Sequence, residues 1–269
     1  MSKHLIEMEN VNKTFNVGTI NEISVINNLN LNIIKGDFIT VIGGNGAGKS
    51  TLLNLISGTH MIDSGDIRMN GKSIKKLREE KRAKTIARVF QDPRVGTAPR
   101  MTIAENLAIA TRRGERRLFG RTLTNGNKEK FAKALSNLNL GLENRLDDEV
   151  DLLSGGQRQS IALLMATIKK PELLLLDEHT AALDPKAAEQ VMAITKRRVQ
   201  EEKITTLMIT HNMKQAIDYG NRLIMLKNGL VFMDIKGKEK ENLTVDKLLD
   251  LFQAKASDSE LSDRLLLSE

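Results

Sequence analysis

A short β-rich run, Phe38-Ile39-Thr40-Val41-Ile42, breaks into Gly43-Gly44-Asn45-Gly46-Ala47-Gly48-Lys49-Ser50-Thr51, and apolar positions then recur at Leu52, Leu53, Leu55 and Ile56. The order is strand, glycine-rich loop, helix, a unit that commits this part of the chain to an α/β arrangement. Glycines let the backbone come close to a phosphate, and the free N–H groups of the helix start point at the anion. In this pattern Lys49 is placed to reach the β- and γ-phosphates, Ser50 to set its hydroxyl on Mg²⁺, and Thr51 to support the α-phosphate end. An ordinary glycine turn before a helix is the competing reading, and the full pattern after a strand disfavours it.

Two further segments lie downstream. Leu173-Leu174-Leu175-Leu176 is continuously apolar, as parallel strands covered on both faces are, and it ends in Asp177-Glu178. Two carboxylates thus emerge at a strand end, where ligands collect in open α/β sheets. Before them stands Leu153-Ser154-Gly155-Gly156-Gln157-Arg158-Gln159, followed by Ile161, Leu164, Met165 and Ile168 at three- and four-residue spacing, with Pro171 beyond. A helix therefore begins at Ser154. Its first turn, with Ser154, Gly155 and Gly156, is a second anion site of free N–H groups and positive dipole end.

The rest of the chain frames these segments. Leu5 to Val11 and Ile23 to Ile34 alternate like half-buried antiparallel strands. From about Thr97 to Asp151 the pattern is helical, with Ile103, Leu107 and Ile109 on one side and Phe131, Leu135, Leu138 and Leu140 on another. That block reads as a helical subdomain inserted into the α/β core. Ile204 to Ile209 is a further buried strand, and Arg222 to Lys227, Asn228-Gly229 and Leu230 to Ile235 form a hairpin whose Asn-Gly suits a type I′ turn. Leu243 to Phe252 is amphipathic, and the acidic tail beyond Ser257 is expected to be loose. The division expected is residues 1–242, with the helical subdomain about 97–160, and residues 243–269 as a C-terminal helix and tail.

Composition excludes several classes. A chain of 269 residues buries one substantial core with at most a subdomain. No apolar run approaches the roughly 20 residues of a membrane helix, and Met1-Ser2-Lys3-His4 opens no signal peptide. Absence of cysteine rules out disulfides and thiolate metal sites. The net charge is +7, yet in Lys75 to Arg82 the cations alternate with acids, as on a solvated helix face. One tyrosine and no tryptophan offer no base-stacking surface, so direct nucleic-acid binding is not expected.

Taken in order, the phosphate loop, Leu153 to Gln157 and Leu173 to Glu178 resemble the ATP-binding subunit of an ABC transporter, over approximately residues 5–234. The resemblance implies an α/β fold: a P-loop NTPase core with a mostly parallel sheet, an N-terminal antiparallel β subdomain and an inserted α-helical subdomain. It implies ATP and Mg²⁺, with Gly43 to Thr51 on the phosphates, Asp177 holding Mg²⁺ through water, and Glu178 as general base. By position Gln91 matches the Q-loop residue that contacts Mg²⁺ and the attacking water. His211 matches the switch histidine at the γ-phosphate, Asp184 the D-loop, and Phe15 the ring that stacks on adenine. Ser154, Gly155, Gly156 and Gln157 would dock on the ATP of a second copy, in a head-to-tail dimer.

The same resemblance implies integral-membrane permease subunits as partners, docked near Gln91 and the helical subdomain at the cytoplasmic face of the membrane. A separate ATPase of this length resembles bacterial importers served by an extracytoplasmic solute-binding protein. Gly96-Thr97-Ala98-Pro99 and Asp177-Glu178-His179-Thr180 resemble ATPases that accompany importers of amino acids or related small solutes. Soluble ABC ATPases that act on DNA or ribosomes are the alternative, but they carry long coiled coils or paired ATPase domains. Three features depart from the common pattern, the first being the helix after the Leu153 to Gln157 element, where Ser160 to Thr167 stand in place of the arginines and alanines that relatives often carry. His179 stands where many relatives have proline, and Arg112 to Arg121 is unusually basic, either as a solvated linker or as a segment facing the membrane partner.

Overall fold

A computed structural model describes residues 4–115 and 124–254. Arg116 to Arg121 of the basic segment and the tail beyond Ser257 lie outside the described residues. In chain order β1 (His4–Phe15), β2 (Ile23–Ile34), β3 (Phe38–Gly43) and α1 (Lys49–Ser57) are followed by β4 (Ser64–Met69), β5 (Lys72–Ser73), α2 (Glu79–Arg82) and β6 (Ile86–Val89). Then come α3 (Pro93–Gly96), α4 (Ile103–Thr111), α5 (Asn125–Ser136), α6 (Gly155–Thr167), β7 (Leu173–Asp177) and α7 (Pro185–Glu202). The described chain ends with β8 (Thr205–Ile209), α8 (Met213–Asp218), β9 (Arg222–Lys227), β10 (Leu230–Lys236), α9 (Lys238–Glu241) and a helix over residues 245–254.

Two sheets result. β2, β1, β4 and β5 form an antiparallel sheet, and the larger sheet runs β10-β9-β3-β8-β7-β6. In the larger sheet β9, β3, β8, β7 and β6 are parallel, while β10 returns antiparallel on β9. The return is made by Asn228 (φ 50) and Gly229 (φ 76), both left-handed as a type I′ turn requires. Register fixes the carboxyl ends in one row: Val41 pairs with Ile209, Ile209 with Asp177, and Leu176 with Val89. The segments leaving β3, β8, β7 and β6 therefore emerge side by side.

Strand alternation divides the core between the two faces of this sheet. Leu173 and Leu175 of β7 pack with α1 and the antiparallel sheet, whereas Leu174 and Leu176 pack with α4, α6 and α7. Leu243 and Leu248 join Ile42, Leu223 and Met225 in a third cluster, so the helix over 245–254 rests on the same sheet.

Two local readings change. Ile109 does not share the buried face of Ile103 and Leu107; it is 52% exposed, beside a groove under α6. Nor is Lys75 to Arg82 a solvated helix face throughout, because α2 is a single turn and Arg82 is buried. Its guanidinium donates to the carbonyls of Leu55 and Ile56 at the end of α1, and to those of Ile74 and Leu77, at 2.7–3.0 Å. A buried guanidinium is tolerated only with such partners, and burial lowers its pKa to about 10. Gly58 makes the room, since a Cβ there would stand 2.8 Å from Arg82 Nε.

Candidate nucleotide site

α1 opens without a side-chain cap. Its N-cap is Gly48 (φ 95), so the N–H groups of its first turn are left for an anion. The glycines of the loop answer to different constraints. A Cβ on Gly43 would lie 2.4 Å from the Leu226 carbonyl oxygen, and one on Gly48 would lie 2.7 Å from Ile26 Cδ1, so packing forbids side chains there. Gly44 and Gly46 face open space, where a ligand has access. Lys49 is buried, and its ammonium donates to the carbonyls of Gly43 and Gly44, both at 2.9 Å. Burial pushes its pKa down while Glu178 and Asp177 push it back up, which places the cation in the field of both carboxylates.

Those carboxylates stand where the row of strand ends leaves them. Glu178 takes a left-handed backbone (φ 47) just past β7, and its N–H donates to the Ile209 carbonyl at 3.2 Å. The turn directs its side chain towards the segment leaving β8, where His211 Nε2 lies 2.5 Å from Glu178 Oε1. Thr210 and Asn212 hold His211 from both sides: the Thr210 hydroxyl bonds Gln215 and accepts from the Asn212 N–H, and Asn212 caps α8. Asp177 Oδ2 accepts from Arg88 at 2.5 Å. Arg88 belongs to no sequence motif, and the pairing of β6 with β7 is what brings it to Asp177.

The remaining expected residues surround this centre. Gln91 is exposed two positions past β6, and the Phe90 carbonyl before it accepts from Gln159 of α6 at 3.0 Å. Phe15 ends β1 with its ring edge-to-face on His60 at 5.2 Å and Lys13 over it at 5.4 Å. Ser50 is exposed in the first turn of α1, and Thr51 follows it half-buried. The oxygen donors Ser50, Gln91 and Asp177 are few and hard, and no cluster of three or more His, Cys, Asp or Glu side chains able to hold a metal occurs among the described residues. That donor set suits Mg²⁺, which brings its own waters and phosphate oxygens.

Ser154 to Gln157 are placed elsewhere. Ser154 Oγ accepts from the Gln157 N–H at 3.3 Å and Gln157 Oε1 from the Ser154 N–H at 3.2 Å, a reciprocal capping box. The Ser-x-x-Gln spacing signals it in the sequence. A Cβ on Gly156 would come 2.9 Å from Ala187 Cβ, and one on Gly155 would come 3.2 Å from Leu183 Cδ2. Both glycines thus lie against the start of α7, which Asp184 caps by accepting from the Ala187 N–H. Ser154 and Gly155 are exposed.

His179, between Glu178 and this region, is buried, and its Nε2 lies 3.1 Å from Thr195 Oγ1. The Thr195 hydroxyl is already donated to the Val191 carbonyl, so Nε2 carries the proton and donates. Burial lowers the His179 pKa to about 4. Of the basic segment, Arg113 is no solvated linker residue: it donates to the Ala166 carbonyl at 2.8 Å, and burial pushes its pKa down.

A capless helix start facing strand-end carboxylates defines a P-loop nucleoside triphosphatase. The sequence profile of the family described as ABC transporter matches residues 26–181. Over 249 residues the chain is 45% identical to the tyrosine transport ATP-binding protein of Clostridioides difficile (strain R20291), covering 93% of this chain and 99% of that one. It is 33% identical to the phosphonates import ATP-binding protein PhnC of Lactococcus lactis subsp. cremoris (strain SK11), covering 91% and 98%. The dimeric structure of a post-hydrolysis state of the ATP-binding cassette MJ0796 bound to ADP and Pi aligns with a TM-score of 0.73 at 29% identity, covering 86% and 98%. The chain belongs to the ABC transporter ATP-binding family. It is an ATPase subunit that energises transport through membrane permease subunits, not an ATPase that acts on nucleic acid. Among the described residues no helix is long and apolar enough to cross a membrane.

Proposed function

We propose that this subunit powers import of an amino acid, with tyrosine or a related aromatic solute as the first candidate, at the cytoplasmic face of the membrane and together with an extracytoplasmic solute-binding protein. The 45% identity to a tyrosine transport ATP-binding protein along nearly the whole of both chains supports the solute class. Residues 1–242, with the helical block 97–160, form the ATPase unit in this reading, and the 243–269 segment is an appendage to it.

The observation that carries the catalytic part is the Glu178–His211 contact of 2.5 Å at the strand ends, in a field shared with Lys49. Lys49 exchanges the carbonyls of Gly43 and Gly44 for the β- and γ-phosphates, while the N–H groups of residues 44–51 hold the chain of phosphates. Phe15 stacks on adenine. Ser50, Gln91 and Asp177 hold Mg²⁺, which when bound neutralises charge building on the phosphate oxygens. Glu178 takes the proton of the attacking water; His211 fixes the carboxylate and reaches the γ-phosphate. Gln91, tied to α6 through Phe90 and Gln159, passes the state of the site to the permease. Ser154, Gly155, Gly156 and Gln157 of a second copy close the site from the opposite side.

Extraction of the protein from native membranes in mild detergent, followed by uptake assays in liposomes, tests this reading. A co-purifying polytopic permease and ATP-driven tyrosine accumulation, lost with Glu178→Gln, are expected. Accumulation of a solute outside the amino acids would overturn the substrate class, and equal ATP hydrolysis by wild type and Glu178→Gln would overturn the general base.

A further inference from the structure

Arg88 joins three elements of the site. On β6 it stands in register with Leu175 of β7, two residues before Asp177. One terminal nitrogen donates to Asp177 Oδ2 and the other to Asn54 Oδ1 of α1, each at 2.5 Å. The pair is shielded, with side chains 13% and 15% exposed, and the guanidinium lies 4.7 Å from the centre of the Phe90 ring. Arg88 Nε is buried with no partner. A half-buried guanidinium whose two terminal nitrogens go to one carboxylate and one amide is placed to hold both the charge and the direction of Asp177.

At the strand ends this charge stands against a pair of acids. Asp177 and Glu178 are consecutive carboxylates, and Lys49 lies in their field. With Arg88 beside it, Asp177 presents one free oxygen and a largely neutralised charge. Without Arg88, the two carboxylates are left with Lys49 and the His211 contact on Glu178, Asp177 has no cation of its own, and a divalent cation gains a site that needs no nucleotide.

We propose that Arg88 is a positioning residue that aims Asp177 and suppresses metal binding to the nucleotide-free site, so that the ion enters only together with the triphosphate. The proposal rests on the reading of Asp177 as the acceptor for Mg²⁺-bound water. It adds to the catalytic assignments a residue that acts through Asp177.

The test is Mn²⁺ binding to the nucleotide-free full chain, followed by electron paramagnetic resonance, in wild type, Arg88→Gln, Arg88→Lys and Asp177→Asn. Glutamine removes the charge and, two bonds shorter, the reach to Asp177 and Asn54, whereas lysine gives up the paired geometry and keeps the charge. A unit charge at an effective dielectric near about 20 is felt across several ångströms, so Arg88→Gln is expected to tighten Mn²⁺ binding by on the order of tenfold or more. Arg88→Lys should stay near wild type, and adding Asp177→Asn to Arg88→Gln should abolish the gain. Equal tightening in the lysine and glutamine variants, or none in the glutamine variant, would overturn the role of charge. If Asp177→Asn alone leaves the Mg²⁺ dependence of ATP binding unchanged, the underlying reading of Asp177 fails and the proposal with it. If that variant raises the Mg²⁺ requirement and Arg88→Gln changes nothing, Arg88 alone is wrongly assigned.

Discussion

α1 and α6 both begin at glycine-rich turns, yet their ends are finished differently. At α1 the cap is a left-handed glycine with no side-chain partner, and Lys49, Asp177 and Glu178 of the same chain share one field. At α6 the cap is a closed box between Ser154 and Gln157, the first residues are exposed, and the glycines serve packing on α7. An open end keeps its N–H groups for a ligand, whereas a boxed end is stable alone and offers what its own caps leave over. The chain therefore holds one helix start left open and one closed on itself, the division that the proposal of a second copy's nucleotide at α6 requires.

Breaking one half at a time is the largest test of that division. Lys49→Ala should abolish ATP binding by the monomer, and Ser154→Arg should leave it intact while abolishing ATP-dependent dimers. Mixing the two variants should restore dimers, because a head-to-tail pair of one of each contains one whole composite site. Size-exclusion chromatography with ATP and EDTA reads this directly; loss of monomer binding in Ser154→Arg, or no recovery on mixing, would break the assignment of the halves to different copies.

How far the two halves were legible in sequence follows the range of the forces that build them. Strand, loop and helix around Gly43 to Thr51 are local patterns, and so are the Asn228-Gly229 turn and the four leucines before Asp177. The field shared by Lys49, Asp177 and Glu178 follows from parallel neighbours, which periodicity also implies. Arg88 and Arg82 were not legible: a lone arginine in a strand or a charged run looks solvated until the carbonyls and carboxylate that satisfy it are known. Gly156 reads as phosphate chemistry, and the further demand that no Cβ press on Ala187 comes from the packing of α7, 31 residues away in sequence. Ile109 failed for a simpler reason, since it sits off the repeat that carries Ile103 and Leu107 inward.

His179 connects the two halves, and its protonation state gives a pH test. An ordinary histidine titrates near 6.5, and burial holds this one down to about 4. Below 6.5 the unfolded chain takes up a proton that the folded chain refuses, so stability is full above 6.5 and is lost as pH falls towards 4. The loss for a fully buried ring is on the order of 3 kcal/mol. His179→Leu, which leaves Thr195 its bond to Val191, should flatten urea midpoints between these limits; an unchanged slope would mean that His179 is protonated in the folded state.

The glycines of α6 separate next. Gly156→Ala presses on a methyl fixed to the backbone of α7 and should cost about 1–3 kcal/mol of folding stability by overpacking, partly offset by the better helix propensity of alanine. Gly155→Ala meets only the end of Leu183, a flexible side chain, and should be near neutral. Equal effects in thermal unfolding would mean that packing on α7 does not distinguish the two positions.

Ser154→Ala makes the smallest change and sharpens the comparison most. The Ser154 hydroxyl accepts from the Gln157 N–H at a long 3.3 Å, and the return bond from the Ser154 N–H to Gln157 survives its removal. As a cap alone it should therefore be worth about 0.5–1 kcal/mol of folding stability, at the lower end for such residues. A hydroxyl that also meets the phosphate of a second copy makes a bond to a charged acceptor, worth about 1.5–3 kcal/mol. The ATP-dependent dimer should then weaken by on the order of tenfold or more, a larger effect than thermal unfolding of the monomer reports. A loss of dimer affinity no greater than the loss of monomer stability would make Ser154 a cap and nothing further, leaving the backbone N–H groups of Gly155 and Gly156 to hold the second nucleotide alone.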